Sequence, residues 1–245
     1  MKAVLLGATS GMGRALSRLL AERGDSLFIL GIPADDLTRS ARDLEERGAK
    51  GPVGTLECDL LNPSGFDAAL ARADDALGGF DTVVVTAGLF ASQERLEADS
   101  EFCRKLLAAN FTNTVLFCEA ARKRLLARGG GTLCVFSSVA GERGRKPVVL
   151  YGAAKAGLSH YLEGLDHKFR AQGLVTVTVK PGFVKTSMTE GLKPPPFAGE
   201  PEGVARQVLR AIERGTPVVY APPPWALVML VIRALPRFVK RRIGF

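Results

Sequence analysis

The stretch Lys2-Ala3-Val4-Leu5-Leu6-Gly7-Ala8-Thr9-Ser10-Gly11-Met12-Gly13 decides how this chain is read. A short apolar strand runs directly into a turn with three glycines in seven positions. A helical pattern follows (Met12, Leu16, Leu19, Leu20) and stops at Gly24. Strand, glycine-rich turn and helix in this order are the opening half of a βαβ unit. Glycine at Gly7, Gly11 and Gly13 lets backbone approach a pyrophosphate, and a helix N-terminus offers unpaired N–H groups at the positive end of its dipole. The turn, including Thr9, Ser10 and Met12, is therefore expected to hold a dinucleotide.

Outward from this turn the alternation continues. Further strands are expected at Ser26–Leu30, Val53–Glu57, Thr82–Thr86, Thr132–Ser137, Val175–Lys180 and Pro217–Tyr220. Helices are expected at Gly11–Arg23, Ala34–Arg47, Pro63–Leu77, Ser100–Ala127, Leu150–Gln172 and Pro201–Arg214. The continuous β-branched runs suit strands covered on both faces. Alternation without a long linker predicts an α/β, doubly wound, Rossmann-like fold with a mostly parallel seven-stranded sheet flanked by helices. One dinucleotide-binding domain is expected over 1–220, followed by a basic amphipathic segment over 221–245. Ligands of such sheets bind beyond the carboxyl ends of the strands, so residues following each strand are the ones to inspect.

Composition sets the outer bounds. The chain has 245 residues, 47% hydrophobic and 24% charged, which excludes a disordered or fibrous protein. Cys58, Cys103, Cys118 and Cys134 form no CxxC pair and read as free thiols of a reducing compartment. Two histidines, His160 and His167, give no basis for a histidine metal site, and no metal is expected. The N-terminus shows no cleavable apolar segment, so a cytoplasmic location is expected. The formal charge is +8, but five basic residues and no acidic one fall in 221–245. The preceding residues carry 28 basic against 25 acidic side chains. The charge is a tail feature without a nucleic-acid-reading motif, and no nucleic-acid partner is expected.

After the fifth strand stands Ser137-Ser138, and thirteen residues beyond Ser138 comes Tyr151-Gly152-Ala153-Ala154-Lys155. Tyr151 and Lys155 are spaced i, i+4 and share one helix face. A free phenol titrates near 10, and a nearby ammonium is expected to stabilise phenolate and lower that value. Ser138, at a strand end, is placed to hydrogen-bond a substrate oxygen. At the end of the second strand Gly31-Ile32-Pro33 provides neither an acid for a ribose hydroxyl nor a base for a 2′-phosphate. Asp35 and Asp36 nearby would repel that phosphate, so NADH is favoured over NADPH. Asp59 with Leu60, after the third strand, is placed to contact adenine. A local capping role for Asp59 is the other reading.

Together these residues resemble the short-chain dehydrogenase/reductase family over nearly the whole chain. Thr86-Ala87-Gly88 is similar to the end of the family's Asn-Asn-Ala-Gly segment, with Val85 and Thr86 in place of both asparagines. Asn110 falls where the family keeps a helix asparagine that holds a proton-relay water. Pro181-Gly182-Phe183-Val184-Lys185-Thr186 matches the stretch that embraces the nicotinamide carboxamide. The resemblance implies an NAD(P)H-dependent ketone reductase. Tyr151 would be the acid–base, Ser138 would orient the carbonyl, Lys155 would bind the nicotinamide ribose and Asn110 would complete the relay. Ala87, Gly88, Pro181, Gly182, Val184 and Thr186 would line the cofactor. It also implies a homo-dimer or homo-tetramer built through the helices around Ser100–Ala127 and Leu150–Gln172. A non-catalytic nucleotide-binding protein is the alternative from another class.

A narrower resemblance lies in Ser137–Arg145, Leu30–Asp36 and Trp225–Arg242. These stretches are similar to reductases of a polyprenyl-phosphate-linked 2-keto pentose, and a lipid-linked keto sugar is the expected substrate. A small or acyl-carrier-bound ketone is the alternative. Arg143, Arg145 and Lys146 are placed to meet a phosphate, or form a solvated basic loop. Trp225–Ile232 is apolar but too short to span a bilayer. With the basic residues after it, it suits a helix in the headgroup region and a peripheral contact with the inner face of the cell membrane. Packing against another subunit or over the substrate entrance is the competing expectation. Phe183–Glu200 is expected to close over substrate.

Overall fold

Lys2–Leu6 (β1) lies between Ser26–Gly31 (β2) and Thr82–Val85 (β4), with Leu6 level with Leu30 on one side and Val85 on the other. In this computed structural model, which describes residues 1–242, the sheet is completed by Gly54–Glu57 (β3), Gly131–Phe136 (β5), Leu174–Pro181 (β6) and Val218–Ala221 (β7). All neighbours are parallel, in the order β3-β2-β1-β4-β5-β6-β7. The order reverses between β1 and β4, which opens a crevice at their carboxyl ends. The fold is the seven-stranded parallel α/β architecture expected from the alternation.

Side chains alternate between two cores, as the two-residue period of a strand requires. Ala3, Leu5, Leu27 and Ile29 face Gly11–Glu22 (α1), Ala34–Glu46 (α2) and Pro201–Arg214 (α8). Val4, Leu6, Phe28 and Leu30 face Phe66–Leu77 (α3), Asn113–Ala127 (α6) and Val149–Phe169 (α7).

Several sequence-based boundaries are corrected. The third strand begins one residue later and forms a sheet edge, with Leu56 37% exposed, so it is not covered on both faces. The seventh strand is the opposite edge. The helix expected over Ser100–Ala127 divides into Ser100–Leu107 (α5), a π-helical turn at Ala108–Thr112, and α6. A short helix, Gln93–Ala98 (α4), lies below the length at which apolar periodicity is legible.

The C-terminal segment folds as Pro224–Ala234 (α9) and Arg237–Arg242 (α10). Trp225, Met229 and Ile232 of α9 pack against Val139, Phe183 and Tyr220. The last three positions of the segment expected over 221–245 lie outside the described residues. No helix among the described residues is long and apolar enough to cross a membrane.

Candidate active site

The glycine turn after β1 forms the floor of a cavity of about 310 Å³ at the β1/β4 crevice. Gly7, Thr9, Ser10, Gly11, Met12 and Gly13 line it, opposite Asp59, Leu60, Ala87, Gly88 and Thr186. Backbone contact here is too close for larger residues. A Cβ on Gly13 would sit 2.1 Å from the Gly7 carbonyl oxygen, and one on Gly7 would meet the Ala87 nitrogen at 2.6 Å, at a φ of 100°. Thr86, which stands where the family resemblance calls for asparagine, secures this packing. Its hydroxyl donates to the carbonyls of Gly7 (2.9 Å) and Leu6 (3.2 Å). Ser10 makes no side-chain cap and the first turn of α1 carries no acid, so the positive helix end faces the cavity. These features fit a pyrophosphate. Ile32 lines the cavity beyond β2, while Asp35 and Asp36 sit in the first turn of α2. Arg39, the base nearest to them, is paired with Asp36. Asp59 accepts from the Leu61 N–H at 2.8 Å in a local turn and also lines the cavity.

β5 and α7 bring the second group together. Ser138 follows β5 in extended conformation, its Oγ accepting from the Ala140 N–H at 3.1 Å. It lines one cavity with the phenol of Tyr151, the third residue of α7. Phe90 stacks edge-on against that ring, centroids 5.2 Å apart. Lys155, one turn further, is buried. Its ammonium donates to the Phe136 carbonyl at 2.9 Å and lies 5.9 Å from the Tyr151 ring centroid. Ser137 holds α7 to the strand end through the Lys155 carbonyl (2.9 Å) and Ser159 (2.7 Å). Gly141 and Gly152 permit the close approach of the 139–141 turn to α7. A Cβ on either would lie within 2.8 Å of backbone across the contact.

Asn110, in the π-helical turn, is fully buried beside this group and lines neither cavity. Its Nδ2 donates to the Leu89 carbonyl (2.6 Å), and its Oδ1 accepts from the Leu89 N–H (2.8 Å). The side chain therefore fixes the backbone next to Gly88, where a Cβ would be 2.7 Å from Asn110 Oδ1 and 3.7 Å from Lys155 Nζ.

The electrostatics correct one expectation. Lys155 was expected to make Tyr151 more acidic. Instead burial pushes the phenol up to about 12, opposed only by the neighbouring Ser138 hydroxyl. Burial pulls Lys155 down to about 8. The ammonium is engaged by the Phe136 carbonyl, and removing either charged form from water is the larger effect. Tyr151 is thus a proton holder at neutral pH.

A second cavity, about 270 Å³, adjoins the first through Met12, Thr186 and Met188, which line both. Ser138 and Tyr151 open into it. Phe90, Val148, Leu192 and Trp225 make its walls largely apolar, and Arg145 is the only charged side chain lining it among the described residues. Pro181, Gly182 and Val184 line this cavity rather than the first. Of the three cations expected at the mouth, Arg145 alone reaches the cavity, while Arg143 and Lys146 face α10. The 183–200 loop lies alongside, its neck closed by the Gly199 N–H on the Phe183 carbonyl (2.8 Å) and the Lys185 N–H on the Gly199 carbonyl (2.9 Å). Trp225 ties α9 to this loop by donating to the Phe197 carbonyl at 3.1 Å.

Sequence reasoning missed Phe90 as a site residue. Met188 and Leu192 fall in the loop expected to close over substrate, and Trp225 in the tail for which packing over the substrate entrance was the competing expectation, though none was named singly. The lone tryptophan beginning the acid-free tail was the one available signal, since a buried indole N–H needs an acceptor.

The model of the short chain dehydrogenase family matches residues 1–196. The chain is 34% identical over 242 residues to the uncharacterized oxidoreductase Rv2073c of Mycobacterium tuberculosis, covering 98% of this chain and 96% of that one. It is 29% identical to carbonyl reductase family member 4 of Xenopus tropicalis, across 85% of this chain and 89% of the other. A solved short chain dehydrogenase/reductase family protein superposes with a TM-score of 0.79 at 26% identity, over 90% of this chain and 97% of that chain.

Proposed function

The chain belongs to the short chain dehydrogenase family of NAD(P)-dependent oxidoreductases, and from that premise we propose that it reduces a ketone to a secondary alcohol with Tyr151 as the acid. The observation that carries this reading is the Ser138 hydroxyl and the Tyr151 phenol lining one cavity that adjoins the glycine cradle. The glycine turn and the α1 N-terminus would hold the pyrophosphate, and Asp59 and Leu60 the adenine end. Lys155 would hold the nicotinamide ribose, and Thr186 with the backbone of 181–184 the carboxamide. When bound, the reduced nicotinamide supplies the hydride, and the protein supplies position and proton. Ser138 and Tyr151 together present two hydroxyls to the ketone oxygen. Tyr151 gives its proton to that oxygen as negative charge grows there. Asn110 acts behind them by holding the Gly88–Leu89 backbone against Lys155. NADH is the proposed reductant, because Asp35 and Asp36 lie beyond Ile32 and Arg39 is engaged by Asp36.

The proposed substrate is a lipid-linked keto sugar carrying a phosphate, met at the inner face of the cell membrane. An apolar cavity with Arg145 as its charged side chain suits a ligand with an apolar part and an anionic group. Likeness to a carbonyl reductase favours a second reading, a soluble ketone or 3-oxoacyl substrate. Phe111, Leu116 and Val149, exposed on and beside α6 and α7, are the surface proposed for homo-oligomer formation. A panel of ketones with NADH and NADPH, followed by loss of nicotinamide absorbance, tests the reading. Faster turnover of a polyprenyl-phosphoryl keto sugar with NADH is expected. Turnover of soluble ketones alone overturns the substrate assignment, and absence of any turnover with NADH bound overturns the reductase itself.

A further inference from the structure

The two C-terminal helices carry surfaces that the reduction does not use. The inner face of α9 is seated on the body of the protein through Trp225, Met229 and Ile232. Its outer face, Ala226, Leu227, Leu230, Val231 and Ala234, contains no polar side chain. Leu227, Leu230 and Val231 are 67%, 62% and 55% exposed, and Phe238 of α10 is 65% exposed. Arg233, the only charged residue of α9, turns aside to Glu142 at 3.2 Å. An exposed apolar stripe of this kind on one helix is uncommon on a monomer surface.

Next to it, α10 closes against the 143–146 loop. Arg143 donates to the Leu235 carbonyl at the helix junction (3.4 Å), Lys240 to Gly144 (2.8 Å) and Lys146 to Arg241 (3.2 Å). The result is a basin of about 350 Å³ lined by Arg143, Gly144, Lys146, Arg237, Lys240 and Arg241. Five cations line it and, among the described residues, no acid does. Burial, and after it the charges of Arg143 and Arg145, lowers the Lys240 pKa.

We propose that this face docks onto an anionic lipid bilayer, with the outer side of α9 and Phe238 in the acyl boundary and the basin around lipid phosphate. The pairing of an apolar stripe with an acid-free cationic margin is the pattern of an interfacial helix. At eleven residues α9 lies on a membrane rather than spanning it. A second copy fits less well, because a two-fold contact centred on the basin would set its five cations against the same five. The orientation also has a consequence for the site. Val139, Phe183 and Trp225 line the substrate cavity and also form the packing of α9, so a docked protein holds that cavity beside the lipid surface.

The test is co-sedimentation of the full chain with vesicles of phosphatidylcholine alone and of phosphatidylcholine with phosphatidylglycerol. Removing the tail would strip Trp225, Met229 and Ile232 from their seat, so point variants are used. Wild type is expected to sediment with the anionic vesicles only and to be released by high salt. L227S/L230S and R237Q/R241Q are each expected to reduce the bound fraction about tenfold, with Tm and NADH binding unchanged. Docking is overturned by wild type that ignores anionic vesicles or by variants that bind as wild type does. Loss of a dimer in L227S/L230S without vesicle binding also overturns it, and assigns the face to a second copy. Should a multiple variant fail to fold, single L227S and the salt dependence of wild type decide. Turnover of the same ketone panel, the polyprenyl-phosphoryl keto sugar included, separates the two proposals: vesicle binding without reduction of any ketone overturns only the reductase, and reduction without vesicle binding only the docking.

Discussion

Tyr151 keeps its proton because taking a phenolate out of water costs more than the neighbouring Ser138 hydroxyl recovers. A protonated phenol is the form a ketone reduction needs. Tyr151→Phe is expected to lower turnover by about 10²–10⁴-fold, the usual worth of a positioned acid. NADH affinity, measured by fluorescence titration, should change little, since the glycine cradle is untouched. Lys155 gives a pH signature of its own. Its folded value of about 8 lies below the ordinary lysine value of 10.5, so between these the unfolded chain binds more protons than the folded one. Its burial therefore opposes folding in full below pH 8, and the opposition fades as pH rises toward 10. The Tm of Lys155→Met relative to wild type should be most favourable near neutral pH and decline across that window. A flat difference would show that Lys155 titrates normally. At Gly13 the argument is steric. A Cβ 2.1 Å from the Gly7 oxygen cannot be relieved without moving the turn, so Gly13→Ala should weaken NADH binding at least tenfold in the same titration.

At the scale of elements, the helix pattern over Ser100–Ala127 was legible but its break was not. A π-helical turn inserts one residue into a ladder whose apolar spacing barely changes, and such turns favour functional sites. Here the turn carries Asn110 to the Leu89 backbone. Likewise Tyr151 and Lys155 were legible from i, i+4 spacing, whereas Phe90 and Gln93 were not. Gln93 accepts from the Leu150 N–H at 3.1 Å and anchors the start of α7, a contact 57 residues apart in the chain. The coupling of α9 to the 183–200 loop is of the same kind. Trp225→Ala removes a buried indole and its bond to Phe197, and should cost about 3–5 kcal/mol of stability. Faster cleavage within 185–198 in limited proteolysis and a raised KM should accompany the lower Tm.

For the whole molecule, the parallel order around β1 creates the crevice, and two cores of opposite strand parity hold it rigid. The same packing makes the cysteines unequal. Cys58, Cys118 and Cys134 are buried and burial raises their pKa values, while Cys103 is half-buried. A thiol reagent should titrate Cys103 in the native protein and all four thiols in denaturant. Rapid native reaction of all four would contradict the packing.

The amino-acid sequence by itself determined the strand–helix alternation, the glycine cradle, and the serine, tyrosine and lysine of the site, because each is a local pattern. Periodicity, a turn that only glycine can make, and neighbours one helical turn apart are all written within a few residues. Only the tertiary structure decided the rest. The phenol's proton affinity, the seat of α9, the basin of five cations, and the separation of Arg145 from Arg143 and Lys146 depend on how much water is excluded between segments far apart in the chain. Burial is a property of packed surroundings, and no single stretch encodes it.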